Sequence, residues 1–157
     1  MSGAPETDHP HAVVLPPKLY GGALVAGLVL QFLLPLDVGF SETARWIAAL
    51  PILGGAALIL TAFRLFRLRG TNVPPVKPAL VFVVEGPYRF TRNPMYLGMT
   101  AIFLGLAVAL DNGWLLILAL PVLAVMRFGV IAREEAYLER RFGTAYLDFK
   151  ARVRRWL

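Results

Sequence analysis

The chain has 157 residues, 57% of them hydrophobic, a mean hydropathy of +0.62 and a formal charge of +6. Its length suits one domain, and its long uncharged runs exclude an ordinary soluble fold. It has no cysteine, which excludes disulfides, thiolate metal sites and a cysteine nucleophile.

Residues 1–17 are polar and proline-rich and read as a disordered tail. His9 and His11 lie in it and read as incidental, so no metal site is expected. Three 18-residue runs then carry no charge: Leu19–Leu36, Trp46–Phe63 and Asn93–Leu110. A fourth, Asn112–Met126, has 15 residues and is followed by Arg127 and five more uncharged residues. About 20 apolar residues span a bilayer core, so four spans are the simplest count. They are placed at 18–34, 44–67, 94–110 and 113–132, within a single domain over 18–157. The first run starts late and is followed by others, so it is not read as a cleavable signal peptide.

Charge sets the expected orientation. The Arg64–Arg92 connection holds six Lys/Arg and one Glu, and the stretch from Arg127 onward holds eight Lys/Arg and four Asp/Glu. The Asp37–Arg45 loop and the Asp111 turn are each net negative. The positive-inside rule puts both basic regions, and with four spans both termini, on the cytoplasmic side. The basic charge then belongs to membrane-flanking segments, and nucleic acid is excluded as a partner.

The second helix is expected from Ser41, a plausible N-cap, to Arg67. Pro51 is placed to kink it, and Gly54-Gly55-Ala56-Ala57 permits close packing with a neighbour. Gly70–Pro78 is a proline-rich connection that cannot be helical, and is a candidate lid. Ala79–Val84 is short, apolar and β-branched, and is expected to run extended along the membrane face. Gly86-Pro87 reads as a turn. Asn93 reads as N-cap and Pro94 as first residue of the third helix. Asp111-Asn112-Gly113 closes a helical hairpin. The fourth helix is expected to run on towards Phe142, with Gly143 as its stop. A last short helix, from Thr144 to about Val153, carries Tyr146, Phe149, Val153 and Trp156 at helical spacing and reads as interfacial. The expected fold is all-α, integral to the membrane, with polar elements at 70–98 and 133–157.

Glu85–Gly98, EGPYRFTRNPMYLG, is polar and turn-rich and lies directly against an apolar run. Arg133-Glu134-Glu135 follows the last run, so both clusters meet at one end of the hairpin. The start of the third helix, with Arg92 and Arg89 beside it, offers positive charge to a ligand carboxylate. Glu134 and Glu135 can answer a cation or ribose hydroxyls. Such a pattern suits a zwitterionic ligand, and equally suits salt-bridged helix ends.

Gly86-Pro87-Tyr88, Arg92-Asn93-Pro94-Met95-Tyr96-Leu97-Gly98, Glu134-Glu135 and Phe142-Gly143-Thr144-Ala145-Tyr146, in this order, resemble the isoprenylcysteine carboxyl methyltransferase family. More broadly they resemble membrane methyltransferases that include phospholipid N-methyltransferases. The resemblance covers about Gly70 to Val153. It implies S-adenosylmethionine as methyl donor, S-adenosylhomocysteine as product, and a lipophilic acceptor entering from the bilayer. It carries cofactor contacts to Leu80, Val81, Phe82 and Val83, to Gly86, Pro87 and Tyr88, to Arg92, Asn93, Pro94, Met95 and Tyr96, and to Glu134. The family usually has histidine where Asn93 stands. Asparagine can donate a hydrogen bond but cannot act as acid or base near neutral pH.

Methyl transfer needs alignment, desolvation and an acceptor lone pair more than covalent help. Tyr88 and Tyr96 are suited to steady a sulfonium by cation–π contact, or to anchor at the interface. Arg127 is expected near the inner leaflet, either facing an acceptor channel or snorkelling to the surface. Glu135 is a candidate proton acceptor, or an ion-pair partner of Arg133, Arg92 or Arg89. The residues also admit a non-catalytic protein that binds lipid headgroups or assists assembly, which saturable nucleoside binding would exclude. A small transporter fits less well, because the halves show no repeat.

Overall fold

The computed structural model describes residues 12–70 and 79–156, and within them it is helical without strands. The elements are α1 (Pro16–Leu33), α2 (Glu42–Ile47), α3 (Ala49–Leu68), α4 (Pro94–Ala109), α5 (Gly113–Ala124), α6 (Ala132–Phe142) and α7 (Thr144–Arg152). A 3₁₀ turn covers Gly86–Arg89, and a π-helical stretch, Val125–Ile131, joins α5 to α6 without a break. Residues 1–11, including His9 and His11, and residues 71–78, the candidate lid, lie outside the described residues.

Two helices are long and apolar enough to cross a membrane: Glu42–Leu68 and Gly113–Phe142. Only 17% and 33% of their apolar windows are buried, where the core helix of a soluble protein would be mostly buried. Phe32, Trp46, Leu53, Leu120 and Phe128 are all at least two-thirds exposed, an apolar surface that water would not tolerate on this scale. The Gly113–Phe142 helix has 30 residues, about 45 Å at 1.5 Å per residue, against about 30 Å of hydrocarbon. Its apolar part, interrupted by Arg127, ends at Ala132, and the charged stretch from Arg133 follows on the same helix.

Local chemistry accounts for most helix ends. The Ser41 hydroxyl accepts from Ala44 N at 3.2 Å, as an N-cap should. The break at Ala48 follows from Pro51, which cannot donate to the Ile47 carbonyl and crowds it. Asn112 Oδ1 caps α5 by accepting from Leu115 N at 3.0 Å, a role the sequence reading had given only to a tight turn. Gly143 sits at φ +55°, which suits glycine, and stops α6. Asn93 does not cap α4: its side chain makes no bond to that helix.

α3 and α4 cross where Gly55 meets Gly98. A Cβ on Gly55 would lie 2.5 Å from Gly98 O, and one on Gly98 would lie 2.6 Å from Gly55 O. The backbones are therefore in contact, as small residues permit; Gly54 has open space around it instead. Tyr20 ties α1 to α4 through a 2.6 Å hydrogen bond with Thr100. At the far end, Asp111 Oδ1 accepts from Gly39 N at 3.0 Å and Phe40 N at 3.1 Å, which closes the hairpin turn against the α1–α2 loop.

Two buried clusters result. One lies among the apolar helices around Phe103, Leu115, Met126 and Ile131. The other lies at the polar end, around Ala62, Val83, Tyr88, Tyr146 and Phe149. The apolar face of α7 is thus turned inward, with Tyr146 2% and Phe149 5% exposed. The aromatic residues that suggested an interfacial helix pack inward, while Leu147 on the same helix stays exposed. Residues 12–17 also depart from the expected disordered tail. Val13 N donates to Gly129 O at 3.1 Å, and Pro16 and Pro17 form the first turn of α1.

Candidate functional site

The polar end encloses a cavity of about 400 Å³, within the usual range for a small-molecule site. Its floor is the extended segment after residue 78, held by Tyr137: Ala79 N donates to the buried Tyr137 hydroxyl at 3.0 Å. Phe82 reaches inward and packs on Phe142, Tyr146 and Phe149, with ring centres 5.2, 5.7 and 5.3 Å away. The 3₁₀ turn delivers Tyr88 against Phe66 of α3, stacked at 5.3 Å. Burial first, and the Glu134 charge second, push the Tyr88 hydroxyl well above its ordinary value.

The charged groups come from α6 and the start of α4. Tyr96 donates a 2.8 Å hydrogen bond to Glu134 Oε2. Burial pushes the Glu134 carboxyl up to about 7; the Tyr96 hydrogen bond opposes that shift and the Glu135 charge adds to it. Glu135 is held differently. Arg155 grips it with two bonds, Nε to Oε1 at 3.0 Å and Nη2 to Oε2 at 2.6 Å. Arg92 Nη1 lies 3.2 Å from Glu135 Oε1, and both side chains are under 10% exposed. Arg92 nevertheless keeps two buried nitrogens, Nε and Nη1, with no hydrogen-bond partner among the described residues. Burial also pushes the Tyr146 hydroxyl up to about 12, with Glu135 adding and Arg92 opposing.

The structure brings together Val81, Phe82, Val83, Tyr88, Arg92, Asn93, Pro94, Met95, Tyr96 and Glu134 around this cavity, as expected for a binding site. Gly86 and Pro87 shape the turn without lining it, and Leu80 is 57% exposed outside it. The two residues given acceptor-side roles fare otherwise. Arg127 is exposed on the outer face, with its guanidinium 5.5 Å from the Phe128 ring, and does not line the cavity. Glu135 borders the cavity and is ion-paired with Arg92, one of the partners expected for it, and with Arg155, which bonds both of its oxygens. Asn93 directs its Nδ2 to Arg155 O at 2.9 Å. Where the resembled family has an imidazole, this chain therefore has an amide that fastens the segment after α7.

Several lining residues had escaped the sequence reading. Tyr137 and Leu138 lie three and four residues after Glu134, on the same helical face, and that spacing could have found them. Phe66 and the Leu15–Lys18 segment carry no local signal, because only tertiary packing brings them to the cavity. No group of acids and histidines suited to a metal ion occurs among the described residues.

The phospholipid methyltransferase family matches residues 43–145. An uncharacterized protein of Haemophilus influenzae is 43% identical over 65 residues, 40% of this chain and the whole of that relative. No solved structure matches. The match spans α2 to α6 and the crossing that supports the cavity, while α1 and most of α7 lie outside it. The chain belongs to the phospholipid methyltransferase family of integral membrane methyltransferases, which is related to the isoprenylcysteine carboxyl methyltransferases.

Proposed function

We propose that the protein uses S-adenosylmethionine to methylate a lipophilic acceptor that reaches the cavity from the bilayer, an isoprenylcysteine carboxylate-like group or another small lipid. On this reading it crosses the membrane four times, with both termini and the cavity on the cytoplasmic side. The observation that carries the reading is the charge layout of an otherwise apolar cavity. Arg92 is ion-paired with Glu135 at 3.2 Å yet keeps two buried nitrogens without a hydrogen bond among the described residues, and Glu134 faces the same space with Tyr96 as its hydrogen-bond donor. Buried donors without an aligned acceptor are costly, and a ligand anion would relieve those two nitrogens.

The residues fit the cofactor. Arg92 would hold its carboxylate, Glu134 its ammonium or ribose hydroxyls, and the aromatic wall around Phe82 its base. When bound, the cofactor supplies an electrophilic methyl group on a sulfonium. The chain contributes orientation and dryness. Phe66, Tyr88 and Tyr96 form a rigid aromatic wall suited to cation–π contact, and the apolar lining excludes water, which strengthens each charge contact. With Glu135 ion-paired to two arginines, Glu134 is the side chain among the described residues placed to act as a base for a neutral acceptor.

The test is transfer of tritiated methyl from S-adenosylmethionine into organic-extractable material, using the purified protein in mixed micelles with total lipid. Label dependent on Glu134 and Tyr96 is the expected result. A folded preparation that transfers nothing to carboxylate, amine, thiol or phenol amphiphiles would contradict the proposal.

A further inference from the structure

The segment after α7 lies outside the family match, and it is bonded at several points to residues inside it. There the backbone leaves helical geometry at Val153, at φ −117° and ψ 129°, and runs past the turn that starts α4. Arg92 N donates to Arg154 O at 3.0 Å. Arg155 O accepts twice, from Thr91 Oγ1 at 3.2 Å and Asn93 Nδ2 at 2.9 Å. The Arg155 side chain reaches the other way, to both oxygens of Glu135 on α6. One residue therefore joins the two elements that present Arg92 and Glu134 to the cavity.

We propose that Arg155 is a positioning residue for the cofactor: by bonding both oxygens of Glu135 it keeps the Arg92–Glu135 pairing to one 3.2 Å contact, so that donors of the Arg92 guanidinium remain available to the ligand carboxylate. The inference rests on the reading of the cavity as a nucleoside cofactor site. The charge count supports it. Glu135 is buried and needs cationic partners. Two arginines stand beside it, but only Arg155 makes aligned, bidentate bonds. Arg92 sits at 3.2 Å with its Nε and Nη1 still unbonded. Remove Arg155 and Glu135 has one cation left, so Arg92 is drawn into full pairing and away from the cavity. The arrangement also separates the adjacent acids. Glu135 becomes part of the frame, and Glu134 remains the one carboxylate of the pair available to a cationic group. A planar fork suits this task better than an ammonium, because it meets both carboxylate oxygens at once.

The experiment titrates detergent-purified full-length variants with S-adenosylhomocysteine, beside steady-state kinetics for the cofactor and the acceptor. Arg155→Ala should bind about tenfold or more weakly and raise the cofactor KM, with the acceptor KM unchanged. Arg155→Lys should recover part of the loss. The decisive variant is the double change Arg155→Ala with Glu135→Gln. It removes the acid that would capture Arg92, and should return affinity to within about threefold of wild type. A merely structural Arg155 gives no such rescue. If Arg155→Ala does not fold, Arg155→Lys and the double variant carry the same comparison. Wild-type affinity in Arg155→Ala, or a double variant no better than the single one, overturns the proposal alone. Absence of binding by the folded wild type overturns it together with the cofactor reading.

Discussion

The Tyr96 hydroxyl donates to Glu134 Oε2 at 2.8 Å, which couples the first turn of α4 to α6 across the cavity. The bond fixes the direction in which the carboxylate faces and satisfies one of its oxygens. Tyr96→Phe keeps the ring and removes the donor. It should weaken S-adenosylhomocysteine binding by about ten- to 150-fold, the worth of one hydrogen bond to a charged group. Titration of the variant checks this, and unchanged affinity would remove Glu134 from the ligand's contacts.

Glu134 should make both stability and binding pH-dependent. Its carboxyl is raised from 4.5 to about 7 in the folded chain, chiefly by burial. The folded state thus holds this proton more tightly than the unfolded state. The associated stability is fully present below about 4.5 and is lost as pH rises through about 7. The wild type should therefore lose a few degrees of Tm between pH 5.5 and 8 from this group, and Glu134→Gln should not. Binding of a cationic group runs the other way, because it needs the carboxylate. Affinity for S-adenosylhomocysteine should rise between pH 6 and 8 in the wild type and stay level in Glu134→Gln.

The α3–α4 crossing should tolerate no side chain at its closest point. A Cβ on Gly98 would lie 2.6 Å from Gly55 O and 2.7 Å from Ile59 Cγ1. One of these is backbone and cannot give way. Gly98→Ala should cost about 1–3 kcal/mol as overpacking, read as a lower unfolding temperature in detergent. Gly54→Ala, with open space around it, should unfold like the wild type.

Arg127 shows where a helical sequence stops being legible. It lies seven residues before Glu134, two turns of an α-helix, and on that count shares its face. The intervening residues Val125–Ile131 are π-helical, however, and the different pitch breaks the count. Arg127 turns outward beside Phe128. Arg127→Ala should accordingly leave S-adenosylhomocysteine affinity within about twofold of wild type, since it removes only an exposed charge. A loss like that of Tyr96→Phe would return this arginine to the site.

The parts read correctly from sequence share one property: their cause is local. Ser41 caps a helix through its own hydroxyl, Gly143 stops one through its backbone freedom, and Asp111–Gly113 turns between two apolar runs. The Arg92–Tyr96 and Glu134 groups, which line one cavity, were legible together because polar residues are costly beside an apolar span. What escaped was set by tertiary pairing. Asn93 looks like an N-cap, yet a carbonyl 62 residues away claims its amide. Glu135 looks like its neighbour Glu134, yet Arg155 separates their roles. α7 has the amphipathic spacing of an interfacial helix, and its Tyr146 and Phe149 pack against Phe82, which no local pattern announces.

The central claim is that the cavity between α4 and α6 holds S-adenosylmethionine. Calorimetric titration of the purified wild type with S-adenosylhomocysteine, beside Glu134→Ala and Tyr96→Ala, tests it most directly. Saturable one-to-one binding by the wild type, lost or greatly weakened in both variants, is the expected result. A folded wild type that does not bind, or binding that both variants retain at full affinity, would contradict the claim.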